Sequence, residues 1–299
     1  MKILALDTAT EACSAALLID GRLIAREMEL ERGHAENILP MIDAVLAEGG
    51  VSLAAVDAVA FGRGPGGFTG VRLAASVTQG LAFAADKPVV PVSDLAAVAQ
   101  RALDIEPGTH RVVVCNDARM HEVYWACFER DDQGLARLVG AEHVGPPEGV
   151  ELESAWLESA GPSGPASPGA VLPSPPPTNA VSPSPASPSP GSPNPASPSG
   201  ASQDSAPGAS SAPGSAAVDS SIGAVGRGFR AYPQLRAKLL SSPSGAAPVH
   251  LISDDLLPRA QEVARLALRE IEAGRLVRPE DAIPVYLRDD VARPKSPAI

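Results

Sequence analysis

Two hydrophobic periods alternate along the first hundred residues. KILALD, CSAALLI and RLIAREMEL are apolar runs separated by TATEA and by Asp20-Gly21. Three strands are expected there, with Asp20-Gly21 supplying a hairpin turn. In HAENILPMIDAVLAEGG the apolar residues Ile38, Met41, Ile42, Val45 and Leu46 recur at helical spacing, and Gly49 ends the stripe. Pro40 falls in the first turns of that helix, where a missing N–H costs least. VDAVAFG predicts a fourth strand, and TGVRLAASVTQGLAFAAD a helix capped at Thr69 or nearby. KPVVPV predicts a fifth strand, and SDLAAVAQRAL a third helix opened by Ser93.

The pattern then restarts. RVVVCND, EVYWACFER and LARLVGAEHV predict further strands, and ELESAWLES a short helix. AVGRGFRAYPQLRAKLL reads as a strand, a Gly-rich turn and a helix. LLPRAQEVARLALREIEAG is a strongly amphipathic helix, and PVYLRDD closes the folded region. Strands feeding β-α-β-α, followed by a β-rich second half, predict an α/β protein of mixed sheets.

Composition breaks this pattern once. From 160 to 221 the chain is mostly Ala, Gly, Pro and Ser, as in SPSPASPSPGSPNPASPSGAS, with Asp204 and Asp219 its only charges. Such a tract buries too little apolar surface to offset its ordering entropy. A disordered, partly polyproline-II insertion is expected, acting as a spacer. Its P-x-x-P matches lack the flanking Arg or Lys of an SH3 ligand.

Charge and cysteine content narrow the function classes. A net charge of −11 in 299 residues argues against independent nucleic-acid binding. With 3% aromatics the core must be aliphatic. Cys13, Cys115 and Cys127 form no C-x-x-C pair and are expected as small core hydrophobes. MKILALDTAT has neither the run nor the cleavage pattern of a signal peptide, and no segment is apolar enough to span a membrane. The expected location is the cytoplasm.

The chemistry-bearing motifs are few. Gly62-Arg63-Gly64-Pro65-Gly66-Gly67 fits G-x-G-x-x-G, with Asp86 some twenty residues on, as a dinucleotide fingerprint would have it. That fingerprint belongs after the first strand of a βαβ unit. Here two antiparallel strands and a helix come first, so a tight turn with closely approaching backbones is expected. Asp7 ends the first strand. A carboxylate followed by hydroxyl residues can hold a hydrated metal beside a phosphate, but the residues alone favour an Asx-type turn. Asp7 has no evident second carboxylate partner. His34, His110, His121, His143 and His250 form no H-x-x-x-H pair, and His34 reads as a surface residue. Asp117 and Arg119 read as a surface ion pair. There is no G-x-S-x-G elbow.

ILALDTATEACSAALL, HAENILPMIDAVL, AFGRGPGGFTGVRLAASVTQGLAF, NDARMHEVYWACFE and the final PVYLRD together resemble the TsaB (YeaZ) family of bacterial tRNA threonylcarbamoyladenosine biosynthesis proteins. The resemblance covers most of 1–157 and, more loosely, 222–290. Its most specific motif is GPG-x-FTG-x-R, in which Gly67 replaces the family's usual Ser. It implies an actin/Hsp70-like (ASKHA) two-lobed fold. The N-terminal lobe would hold 1–106, with the 255–273 helix packing on it. The second lobe would hold 107–159 and 222–290, with the insertion between them and a flexible tail at 291–299.

The resemblance also implies a role beside TsaD, the paralogue that forms threonylcarbamoyladenosine at position 37 of ANN-reading tRNAs. TsaD binds its metal through an H-x-x-x-H pair. Asp94 and Val98 occupy those positions here, and a valine cannot coordinate a metal. The implied role is therefore a non-catalytic one, stabilising or activating TsaD together with TsaE. The chain would have no intrinsic cofactor or metal, and the partner complex would use ATP and a divalent ion. The competing reading is a stand-alone ASKHA phosphotransferase or glycoprotease-like metallopeptidase.

The expected partner surface is the helix pair carrying His34, Ile38, Leu39, Met41, Ile42, Thr69, Arg72, Leu73 and Ser76. It would serve TsaD, or a second copy in a homodimer. Arg63 and Arg72 are further contact candidates. By fold analogy a nucleotide would lie near Asp7, Gly64, Gly66 and Gly67. Contact with tRNA is expected only through the complex.

Overall fold

The computed structural model describes residues 1–158, 221–241 and 247–288. The Pro/Ser-rich tract expected at 160–221, save Ser221, and the tail expected at 291–299 lie outside the described residues.

The first sheet is built from β1 (Lys2–Asp7), β2 (Ala12–Ile19), β3 (Arg22–Glu29), β4 (Ala58–Gly62) and β5 (Val89–Val92), in the order β3-β2-β1-β4-β5. β1 pairs antiparallel with β2 and parallel with β4. Asp20 and Gly21, with φ of 48° and 89°, make the two-residue hairpin turn that their identities predict. The second sheet repeats the design with β6 (Arg111–Arg119), β7 (Glu122–Arg130), β8 (Ala136–Gly145), β9 (Ile222–Val225) and β10 (Val249–Ser253), in the order β10-β9-β6-β7-β8. Counted from its own first strand, each sheet runs 3-2-1-4-5. This doubling is the two-lobed ASKHA arrangement that the resemblance implies. β10 is the element the sequence pattern did not announce.

The helices fill three layers. On the outer face of the first sheet, α1 (His34–Gly49) and α2 (Phe68–Ala85) share a core with Leu4, Leu6, Val59 and Phe61. Between the sheets lie α3 (Asp94–Ile105) and α7 (Ala260–Glu272), which bury Leu95, Leu103, Val263 and Leu266 against Ile3, Ala60, Val112 and Phe128. On the outer face of the second sheet, Trp156 of α4 (Ser154–Glu158), Phe229 of α5 (Gly228–Ala231) and Leu235 of α6 (Pro233–Leu240) make a third cluster. Small residues dominate the middle layer, so the helices approach both sheets closely. Ala260 N–H donates to Ser14 Oγ at 2.9 Å, fixing the start of α7 over β2.

Three local expectations need correction. Pro40 sits in the second turn of α1, where its missing N–H forfeits the bond to the Glu36 carbonyl. α2 starts at Phe68 with Gly67 as its N-cap and no capping side chain, so Thr69 is not the cap. The glycine N–H instead bonds across to Ala9 O at 2.7 Å, so a tertiary contact does the capping. The segment after β9 is two helices rather than one. Pro233 begins the second, and Tyr232, extended before the proline, separates them. Ser93 caps α3 as expected, accepting from Ala96 N.

Candidate functional site

Two loops of the first sheet meet edge to edge and floor a cleft of about 790 Å³. One is Asp7–Glu11, between β1 and β2; the other is Gly62–Gly67, between β4 and α2. Thr8 Oγ1 donates to Gly70 O at 2.8 Å, and a Cβ on Gly66 would lie 2.6 Å from Ala9 O. Only glycine permits that approach, and this is what the Gly-rich stretch is for. Asp86 ends α2 with φ 53°, at the far end of the helix from this loop. The dinucleotide spacing has no structural counterpart.

Asp7 makes the Asx turn: its Oδ1 accepts Ala9 N–H at 2.8 Å. It also has a partner the sequence reading missed. Asp94, the first residue of α3, is fully buried beside it, and one oxygen of each carboxyl group lies over Gly62. A Cβ on Gly62 would overlap oxygens of both. Burial raises the pKa of Asp7. Burial and then the adjacent Asp7 push Asp94 well above the ordinary carboxylate range. Asp94 also holds the glycine loop, with Oδ2 accepting Gly64 N–H at 2.5 Å and its own N–H donating to Gly64 O at 3.0 Å.

The far wall comes from the second sheet and α5. Arg227 donates to Glu11 at 3.1 Å and to Asp255 at 3.0 Å, while Arg119 pairs with Asp117 at 3.0 Å, as expected, and with Glu11 at 3.3 Å. Tyr232 donates to Asp117 Oδ1 at 2.9 Å. His34 lines the cleft, and its Nε2 lies 2.8 Å from Thr10 O, which makes that nitrogen the protonated donor. The ring is thus a clamp between α1 and the Thr8–Glu11 turn. The cleft walls are zwitterionic and largely self-paired. They carry anion-compatible groups such as Arg119, Arg227 and Arg230.

The residues expected at a partner surface divide. Leu39 is 48% exposed, and Thr69 and Ser76 are exposed too; His34, Met41, Arg72 and Leu73 are half-buried. Ile38 and Ile42, at 0% and 1%, belong to the core under α1 and present no surface, because their stripe faces the sheet. Phe83, 79% exposed on α2, was not anticipated. Of the glycines expected near a nucleotide, Gly66 and Gly67 line the cleft, whereas Gly64 is buried behind it. The two arginines expected outward are engaged within the chain. Arg63 bonds Glu142, and the Arg72 guanidinium lies 3.3 Å from the Phe68 ring centre and 4.7 Å from that of Tyr286.

Val98 is fully buried in the middle layer, and among the described residues no group of three or more His, Cys, Asp or Glu is placed to hold a metal. Among those residues, too, no helix is long and apolar enough to cross a membrane.

A family model described as "TsaD: tRNA N6-adenosine threonylcarbamoyltransferase" matches residues 28–170. The chain is 33% identical to the tRNA threonylcarbamoyladenosine biosynthesis protein TsaB of Escherichia coli K12, the alignment covering 99% of each chain. It is 52% identical to the protein of that name in Haemophilus influenzae over 131 residues, 44% of this chain and 55% of that one. Among solved structures, "YeaZ from Pseudomonas aeruginosa" matches with a TM-score of 0.64 at 36% identity, covering 96% of this chain and 99% of the other. A second Pseudomonas aeruginosa structure, an uncharacterized protein with similarity to peptidase YEAZ, matches with a TM-score of 0.65 at 37% identity.

Proposed function

Because this chain belongs to the TsaB family of tRNA threonylcarbamoyladenosine biosynthesis proteins, we propose that it serves that modification as a non-catalytic partner of TsaD. It contributes a rigid helical surface, and TsaE completes the assembly. The observation that carries this reading is the outer surface of α1 and α2. Leu39 and Phe83 stand out from it with Leu73 half-buried, over a core already filled by Ile38, Ile42 and Ala74. Apolar groups held outward on a packed support fit a partner's helices at low ordering cost. Burial of about 800 Å² per partner would make an ordinary interface. The same surface would support a two-fold homodimer when TsaD is absent.

ATP and a divalent ion are used by the partner complex, and tRNA is reached only through it, in the cytoplasm. The stand-alone metallopeptidase reading lacks a ligand at Val98, and neither it nor the phosphotransferase reading is favoured by the TsaB relatives.

Capture of TsaD by the purified full chain tests the reading. Leu39→Arg and Phe83→Arg should each weaken capture at least tenfold while leaving thermal unfolding unchanged. Undiminished capture by both variants, or tRNA modification in a reconstituted system that does not need this chain, would overturn it.

A further inference from the structure

Asp7 and Asp94 leave one hydrogen-bonding position unfilled between them. Each spends one oxygen on a backbone N–H: Asp7 Oδ1 on Ala9, Asp94 Oδ2 on Gly64. The other two, Asp7 Oδ2 and Asp94 Oδ1, are buried, lie together over Gly62 and find no donor among the N–H and O–H groups of the described residues. Two facing acceptors in an enclosed site repel and stay desolvated. One proton between them turns the clash into a hydrogen bond and leaves the pair a single charge.

We infer that Asp7 and Asp94 share one proton, and that this proton fastens the Thr8–Glu11 turn to the Gly62–Gly67 loop, making the cleft floor sensitive to alkaline pH. Asp7 anchors the first loop through Ala9 and Asp94 the second through Gly64, so the bond between the carboxyls closes the join. The charged and titratable neighbours are all engaged elsewhere. Arg63, beside Asp94, is held by Glu142. Glu262 of α7 is paired with Arg259 at 2.7 Å, and His34 of α1 donates to Thr10 O. The thiol of Cys13 on β2 is pushed up to about 11 by burial and by Asp7, and stays neutral. No neighbouring base stands in for the shared proton.

The sign follows from the raised carboxyl pKa values. The folded chain holds a proton that the unfolded chain releases above about pH 4. The stability it gives is complete below that pH and is lost as pH rises through the folded titration.

Asparagine substitution gives a parity test. In Asp94→Asn the amide oxygen still accepts from Gly64 and its NH₂ donates to Asp7. Asp7→Asn works in mirror image. Each single variant should therefore fold, and each should remove about tenfold per pH unit from the decline of the folding constant between pH 5 and the titration point. In the double variant both oxygens stay committed to backbone N–H groups, so two NH₂ groups face each other. It should be less stable than either single variant by at least tenfold in the folding constant. Infrared spectra of the wild-type chain at pH 7 should show a protonated carboxyl band, absent from both single variants. Absence of that band in wild type, or a double variant as stable as the singles, would overturn the proposal.

Discussion

Arg63 and Glu142, from loops and strands of different sheets, are joined at 3.0 Å, and the same carboxylate accepts the hydroxyl of Ser93. Glu142 is thus a fixed point for three elements: the glycine-rich loop, the cap of α3 and strand β8. Its side chain is 7% exposed and that of Arg63 22%. Glu142→Ala strands a partly buried guanidinium and should cost about 2 kcal/mol, read from urea unfolding. Glu142→Gln, which keeps an acceptor for Ser93, should cost less.

Two glycines of α2 should respond in opposite directions. A Cβ on Gly70 would strike the Thr8 carbonyl, whereas one on Gly80 meets nothing within 4 Å. Gly70→Ala is expected to destabilise by about 1–3 kcal/mol through forced separation of backbones. Gly80→Ala is expected to stabilise by up to about 1 kcal/mol through helix propensity. Thermal unfolding of the pair measures both.

Neighbouring residues on α1 should behave as differently as their exposure. Ile38→Ala removes a fully buried side chain and should cost about 2–5 kcal/mol. Leu39→Ala, on the solvent side, should stay within about 0.5 kcal/mol. Equal losses at the two positions would mean that the helix faces are misassigned.

All three cysteines are free and buried. Burial pushes the Cys127 thiol up to about 12 and Cys115 well above its usual range, as it does Cys13. The native protein should show no thiol reactive toward a disulfide reagent at pH 8. Denaturant should release three equivalents.

The strands of the first sheet were legible because β1, β2, β4 and β5 are apolar runs bounded by turn residues, and because Asp20-Gly21 permits few conformations and so announces β3. β10 was not, since VHLIS is short, half-buried and carries a histidine among its apolar residues. At the cleft, local chemistry read correctly: Asp7 makes its Asx turn and the glycines allow backbone contact. What failed were side-chain partnerships across the fold. In sequence Asp94 reads only as the occupant of a histidine position, and nothing in SDLAAVA announces a carboxyl group at the end of β1. Arg63 looked solvent-directed because its partner is on β8. Ile38 and Leu39 both look like interface residues until the sheet beneath α1 decides which one points inward.

The placement of α7 bears on how the chain is made. Its first turn bonds to Ser14, and with α3 it covers the inner side of strands formed from the first hundred residues. Synthesis runs from the N terminus, so the ribosome finishes those strands long before the helix that roofs them. For that interval an apolar face of aliphatic residues is open to chaperones or to neighbouring nascent chains. Polypeptides cut short ahead of residue 260 would keep that face uncovered and should collect in the insoluble fraction.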